Sequence, residues 1–385
     1  MTATRTRRLL SIQPAADGGG SETALLRMLA ALRAEGWECH VAVPHPARLA
    51  DEYAAAGATL HVVPMRRITT QGSTLAWAAS YLAAWPFTVA ALTRLARRLR
   101  PDVVHSNSLH SWYGWAVARL AHRPHVWHAR EIVVQSGAAL RLERVLTRRC
   151  ADLVVAISGA VAAQLDRPDV AVVLDGPAPG EFGPDRAGAF RAAAGIDDDV
   201  PLVGSAGRLD TWKGFGVLLD ALPLVRAERP EVQLVVAGPV VGGKEELAAE
   251  LARRARDLGG VHWLGPRREM PELMADLDVF CQVSTEPEPF GMVHAEALAS
   301  GTPTVAGAEG GPVEILAGLR PGAGRLVPPG DAAALARAVL ELLPPGPSST
   351  VRRKSRPVLR AARTPPWGEL LDGVLGAQPP ARSRS

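Results

Sequence analysis

Cysteine is scarce: Cys39, Cys150 and Cys281 are three residues in 385, odd in number and far apart. That pattern supports neither a disulfide framework nor a cysteine metal cluster, and it fits a reducing, cytoplasmic setting. Arg5, Arg7 and Arg8 stand near the start, but the apolar stretch behind them is too short for a secretory signal and runs into a Gly-rich turn. The formal net charge is +4, with most of the excess arginine in the first half and the tail. No helix-turn-helix signature, zinc spacing or aromatic RNA-binding motif accompanies it, so nucleic acid is not an expected partner, and anionic small molecules or a membrane surface account for the charge equally well. Internal repeats and coiled-coil heptads are missing too. So is the full Gly-x-Gly-x-x-Gly register of dinucleotide enzymes, which disfavours an oxidoreductase.

Charge is also missing from Ile68 to Thr93, between Arg66-Arg67 and Arg94, Arg97 and Arg98. The length would cross a bilayer. Gln71, Gly72, Ser73, Thr74, Ser80 and Pro86 interrupt it, however, and arginines on both sides give no orientation signal. The expectation is a buried helix with one face available for peripheral membrane contact.

With 385 residues, 47% of them hydrophobic and 21% charged, the chain can bury two cores. Apolar runs bounded by turn residues alternate with helical periodicity throughout, the pattern of parallel strands with helical crossovers. Strands are expected at 9–13, 40–43, 60–63, 103–105, 125–127, 153–156 and 171–174, with clear helices at 22–34 and 140–150. A crowd of Gly and Pro interrupts the pattern at 175–185. It resumes with strands at 202–205, 233–237, 261–263, 279–282, 304–305 and 325–327, and helices near 214–228, 245–257, 292–300 and 331–343. The fold class expected is therefore α/β, with two Rossmann-like, doubly wound parallel-sheet domains facing across a cleft. Their bounds would be 1–178 and 179–345, followed by a basic segment with a short helix at 346–377 that packs back on the first domain, and a disordered tail at 378–385.

The most informative stretch is Glu288-Pro289-Phe290-Gly291-Met292-Val293-His294-Ala295-Glu296. A Pro-Phe-Gly turn before an apolar helical run puts Glu288 at the helix entrance and Glu296 about two turns in. Unpaired amides at the entrance suit a phosphate or a sugar rim, and a carboxylate accepts from vicinal hydroxyls. An acidic residue in a first turn is ordinary by itself. Glu296 is less ordinary, because Val293, Ala297 and Leu298 mark a buried helix where an ionised carboxylate needs a partner.

Three other turns follow strands. Gly207-Arg208-Leu209-Asp210-Thr211-Trp212-Lys213-Gly214 holds two cations five positions apart, a spacing able to neutralise a diphosphate where solvated surface charges are the commoner case. Asp17-Gly18-Gly19-Gly20-Ser21-Glu22 permits close passage of a ligand at a helix start, with Ser21 as its cap. Gly310-Gly311-Pro312-Val313-Glu314 repeats the theme and would border the same site. His128, in His128-Ala129-Arg130-Glu131, ends another strand and could bond a substrate hydroxyl, although His105, His110, His122 and His125 are equally available by sequence.

Gly207-Arg208-Leu209 with Lys213-Gly214, then Gly265, then Glu288-Pro289-Phe290-Gly291 through Glu296, then Gly310-Gly311, together resemble the retaining glycosyltransferases of family four, which have the GT-B fold. The resemblance implies a nucleotide-diphosphate sugar bound by the C-terminal domain and a small-molecule or lipid-linked acceptor held by the N-terminal domain. By the same resemblance Glu288 contacts sugar hydroxyls, Glu296 the ribose, Arg208 and Lys213 the diphosphate, and the amides of Gly291 and Met292, with Phe290 and Val293 beside them, the sugar or phosphate. Arg267, after Gly265, would neighbour the base, His128 would match the active-site histidine, and Gly18 and Gly19 the loop facing the phosphates. It implies no metal, no other cofactor, and same-face substitution of a hexose or N-acetylhexosamine. A sugar-nucleotide epimerase of the same fold and a non-catalytic partner protein are the competing readings. Asp175-Gly176 stands where the family often has Asn-Gly, and the stretch after 343 fits the family pattern poorly.

Overall fold

The computed structural model describes residues 6–16, 18–67, 75–134, 136–240, 242–358 and 367–376. The expected tail at 378–385, Asp17 of the first turn, and residues 68–74 of the uncharged run lie outside the described residues. Two compact units are present, residues 1–174 with 365–385 and residues 175–364.

The first unit holds β1 (Arg8–Ile12), α1 (Gly20–Ala34), β2 (Glu38–Val43), α2 (Ala50–Ala55), β3 (Ala58–Val62), α3 (Leu75–Leu99), β4 (Val103–Ser106), α4 (Gly114–Ala121), β5 (His125–Ala129), α5 (Gly137–Cys150), β6 (Leu153–Ala156), α6 (Gly159–Ala163) and β7 (Ala171–Val172). Its strands form one parallel sheet in the order β3-β2-β1-β4-β5-β6-β7. Helices cover both faces, so the inner strands are apolar along their length rather than alternating. Side-chain alternation along β1 sends Leu9 into a core with Leu25, Leu29 and Val41, and Leu10 and Ile12 into another with Leu92, Val104 and Val117.

The second unit continues with α7 (Ala189–Ala194), β8 (Leu202–Ala206), α8 (Phe215–Glu228), β9 (Gln233–Ala237), α9 (Glu245–Leu258), β10 (Val261–Gly265), α10 (Met270–Asp276), β11 (Val279–Gln282), α11 (Met292–Ala299), β12 (Thr304–Gly307), α12 (Gly311–Leu316), β13 (Gly324–Val327), α13 (Ala332–Leu342) and α14 (Thr350–Lys354). Its parallel sheet runs β10-β9-β8-β11-β12-β13. Alternation again divides its core: Val279 and Cys281 of β11 pack with Leu219 and Leu335, and Phe280 with Met274 and Ala297.

The expected strands all recur, with ends shifted by a residue or two. From Leu75 onward the uncharged run lies in α3, which carries Pro86 inside it. Among the described residues no helix is long and apolar enough to cross a membrane.

The segment read as one piece from 346 to 377 divides between the units. The last helix, α15 (Trp367–Gly376), sets Trp367 and Leu371 into the first unit's core against α1. Residues 348–356 instead belong to the second unit, tied by buried charges. Asp278 accepts from Arg191 Nη2 at 3.0 Å, the Leu202 amide at 3.0 Å, Ser348 Oγ at 2.8 Å and Arg356 Nη2 at 3.1 Å. Arg353 lies 3.4 Å from Asp276 and also bonds Asp198. Removing one partner of such a network strands the opposite charges away from water. Asp278→Ala is expected to cost the second unit roughly 3–5 kcal/mol, read as a lowered urea midpoint; a midpoint matching the wild type would show that water replaces the carboxylate.

Candidate functional site

The loops after β8, β11 and β12, three adjacent strands, converge at the carboxyl edge of the second sheet, where open parallel sheets hold ligands. In the β8 loop Gly207 has φ +152° and Gly214 φ +75°, and a Cβ on Gly214 would meet Val283 O at 2.1 Å. Only glycine lets this loop lie so closely on the one after β11. The Thr285 amide donates to Trp212 O at 2.7 Å and completes the contact. The β12 loop is clamped the same way: Glu288 and Gly310 form a parallel backbone bridge, the Gly311 amide donates to Glu288 O at 2.8 Å, and a Cβ on Gly310 would meet Glu288 O at 2.1 Å.

This packing brings Lys213 and Glu288, 75 positions apart in sequence, together at 2.6 Å, with side chains 11% and 12% exposed. Ser284 Oγ donates to the same Oε2 at 3.0 Å, and Lys213 Nζ lies 4.1 Å from the centroid of the Trp212 ring. Burial raises the Glu288 pKa, but Lys213 and Ser284 outweigh it and hold the carboxyl below its usual range, so it is ionised. Arg208 is exposed on the same loop and has no ion-pair partner among the described residues. Gly291, at φ +94°, is the N-cap of α11 with no side-chain cap, Phe290 beneath it is buried, and Met292 and Val293 open the helix half-buried. Glu296, one turn further, is 7% exposed. His294 between them bonds Thr304 Oγ1 at 2.7 Å, and burial pushes its pKa down to about 4, keeping it neutral. Arg267 is exposed in the loop after β10, beyond Gly265 at φ +66°.

In the first unit His128 lies within β5, 1% exposed, its ring 5.0 Å from that of Trp367 and 5.5 Å from that of His105. Arg130 Nη1 stands 3.4 Å from its Nε2. Burial, with the nearby Arg130 charge, drives the imidazole pKa well down. The histidine read as able to bond a substrate hydroxyl from a strand end thus has Trp367 of α15 over it. Gly18 takes φ +79°, and its amide donates to Glu22 Oε2 at 2.5 Å. Gly19, not Ser21, is the N-cap of α1, and nothing lies within 4 Å of a Cβ built on it. Ser21 falls inside the first turn because the helix begins two residues earlier than the pattern implied. Among the described residues no three His, Cys, Asp or Glu side chains gather in metal-ligating geometry.

The family described as Glycosyltransferase Family 4 matches residues 18–173, and the one described as Glycosyl transferases group 1 matches residues 188–353. The D-inositol 3-phosphate glycosyltransferase of Stackebrandtia nassauensis is 31% identical over 306 residues, 72% of this chain and 67% of that enzyme. The chain belongs to glycosyltransferase family four. The D-inositol 3-phosphate glycosyltransferase of a Nocardioides species is 35% identical over 181 residues, but the chain spans only 40% of its length. Among solved structures, the Anabaena protein HepE in complex with UDP and glucose superposes with a TM-score of 0.72 at 25% identity, covering 87% of this chain and 89% of that one. The two parallel-sheet units are accordingly the two domains of the GT-B class.

Three residues at or near these sites were not legible in sequence. Ser284 is a hydroxyl at a strand end, too common a feature to single out. Gln282 is 2% exposed with neither amide atom partnered among the described residues, and a Cβ on Gly207 would come within 3.3 Å of its Nε2. Trp367 could not be paired with His128, since periodicity says nothing of where a terminal helix docks.

Proposed function

We propose that the chain moves a hexose or N-acetylhexosamine from a nucleotide-diphosphate sugar to a small-molecule or lipid-linked acceptor, with retention and without a metal ion. The ion pair of Lys213 and Glu288 carries this reading. An ammonium has three donors and spends one on Glu288, so Lys213 keeps two for a phosphate, and the guanidinium of Arg208, without an ion-pair partner among the described residues, adds a second cation on the same loop. The ionised Glu288 accepts from sugar hydroxyls. The Gly291 and Met292 amides, flanked by Phe290 and Val293, face the sugar or phosphate, Glu296 takes the ribose and Arg267 borders the base.

Loss of the diphosphate breaks the bond from the anomeric carbon to phosphate oxygen, and the leaving oxygens gain charge as it breaks. Fixed cations at that position stabilise the transition state more than the ground state. The acceptor oxygen then bonds the anomeric carbon on the face the diphosphate leaves, and its proton passes to a leaving phosphate oxygen. Acceptor binding falls to the first unit, with Gly18 and Gly19 on the donor side of its loop. For His128 to meet an acceptor hydroxyl, Trp367 has to move off its ring.

Thermal shift against UDP-glucose, UDP-N-acetylglucosamine and GDP-mannose, followed by transfer assays with EDTA present, tests the reading. One sugar nucleotide at about a hundred times its Kd should stabilise the protein by about 2.7 kcal/mol, and transfer with that donor should survive chelation and give a product of the donor's own anomeric configuration. No shift with any nucleotide, or an isomerised donor formed without acceptor, overturns it.

A further inference from the structure

The solvent face of α3 is apolar where a free surface would be polar. Exposed positions recur at helical spacing: Ala79, Leu82, Ala83, Pro86 and Phe87, with Leu82 67% and Phe87 78% exposed. The opposite face is ordinary core, with Tyr81, Val89, Leu92 and Leu95 packed against α4 and the sheet. The polar residues within the stretch do not relieve the patch: Ser80 Oγ bonds Trp77 O, and Thr88 is buried on Pro64 O. Trp77 and Trp85 are half-buried, turned towards Tyr81 and Trp115 on the core side. Contiguous exposed apolar surface of this kind marks an interaction site.

Charge identifies the occupant. One turn beyond Ala90 the same face changes to Arg94 and Arg98, both exposed, and Arg66 and Arg67 are exposed before the helix. None of the four has a carboxylate partner among the described residues. Arg94 and Arg98 line an open groove with His61 and Val62 of the edge strand β3. The imbalance extends to the whole unit: residues 1–174 with 365–385 carry 22 Arg and 14 Asp or Glu, whereas residues 175–364 carry 21 Lys or Arg and 25 Asp or Glu. A basic unit that bares an aromatic and aliphatic stripe over about 12 Å of helix, with Arg94 and Arg98 at its C-terminal end, complements a surface that is anionic outside and apolar beneath.

We propose that the first unit docks on an anionic lipid bilayer through α3, with Leu82, Pro86 and Phe87 entering the headgroup–acyl boundary and Arg94 and Arg98 meeting lipid phosphates. Binding of this kind adds apolar burial to electrostatic attraction and weakens as salt rises. It does not depend on the donor site, and the test leaves that site intact.

Flotation of the full-length protein with vesicles of phosphatidylcholine alone, or with about a third phosphatidylglycerol, reads the effect. Wild type should float with the anionic vesicles at low salt and largely remain behind with the neutral ones. Leu82→Ser with Phe87→Ser should lower partitioning at least about tenfold with unchanged circular dichroism and unchanged nucleotide thermal shift. Arg94→Gln with Arg98→Gln should weaken binding and flatten its salt dependence. Equal flotation of the serine variant overturns the proposal, as does absence of wild-type binding. A wild-type dimer that the serine variant dissociates assigns the stripe to a second copy and overturns it as well.

Discussion

Alanine at position 213 will end sugar transfer and destabilise the second unit at once, and a companion variant will separate the two losses. Lys213→Ala leaves the Glu288 carboxylate, 12% exposed, with Ser284 as its remaining described side-chain donor. Stranding a buried charge costs roughly 3–5 kcal/mol. Lys213→Met with Glu288→Leu removes both charges and keeps their bulk, so its urea midpoint should return to within about 1 kcal/mol of wild type. Transfer should stay at least about a hundredfold down, because by the proposed chemistry no fixed ammonium then meets a leaving diphosphate. A stable double variant that turns over at the wild-type rate would reduce the pair to a structural contact. The pair also sets an acid limit: with the Glu288 pKa held below its usual 4.5, its stabilisation is present above that value and fades as pH falls through the lowered one.

Acid will unfold the first unit before the second. Burial pushes the pKa of His105 down to about 3, with Arg130 adding to it, and that of His125 to about 4 against the opposing pull of Cys150 O and Asp152; His128 is driven well down. These groups fold as neutral imidazoles but protonate near 6.5 when unfolded. Their stabilisation is therefore complete above pH 6.5 and is lost as the pH falls towards the folded values, at about 1.4 kcal/mol per group per pH unit. By pH 5 His105 and His125 alone cost about 4 kcal/mol, against a domain stability of about 5–15 kcal/mol. His110 moves the other way, since Glu143 and Glu131 outweigh burial and raise it. In the second unit His294 has a pKa of about 4 and carries a similar penalty there. Seven of the nine tryptophans lie in the first unit, so their fluorescence should report a transition between pH 6 and 4 with uptake of about three protons. A urea midpoint that stays level from pH 7 to 5 would show that these histidines are protonated in the folded protein.

Much of the architecture was readable residue by residue, for a local reason. A strand covered on both faces must be apolar along its length, as Val154-Val155-Ala156 and Leu234-Val235-Val236 are, and the turns between strands need Gly, Pro or a cap, as Ser158 supplies for α6. The β8 and β11 loops were legible likewise, because Gly214 and Gly291 stand where backbones approach or φ turns positive. Start points were less so: α1 begins at Gly20 rather than after a Ser21 cap, since the Glu22 carboxylate, folding back on the Gly18 amide, does the work assigned to a hydroxyl.

The sequence by itself determined the alternation of strand and helix, the parallel sheets and the charged residues at their carboxyl ends, because each depends on side chains within a few positions of one another. Tertiary structure alone decided that Lys213 meets Glu288, that α15 covers His128, that Asp278 ties residues 348–356 to the second unit, and that α3 bares Leu82 and Phe87. Periodicity reports which face of a helix is apolar but not what lies against it. Contacts across tens or hundreds of positions arise only when the sheets close and distant loops compete for the same space.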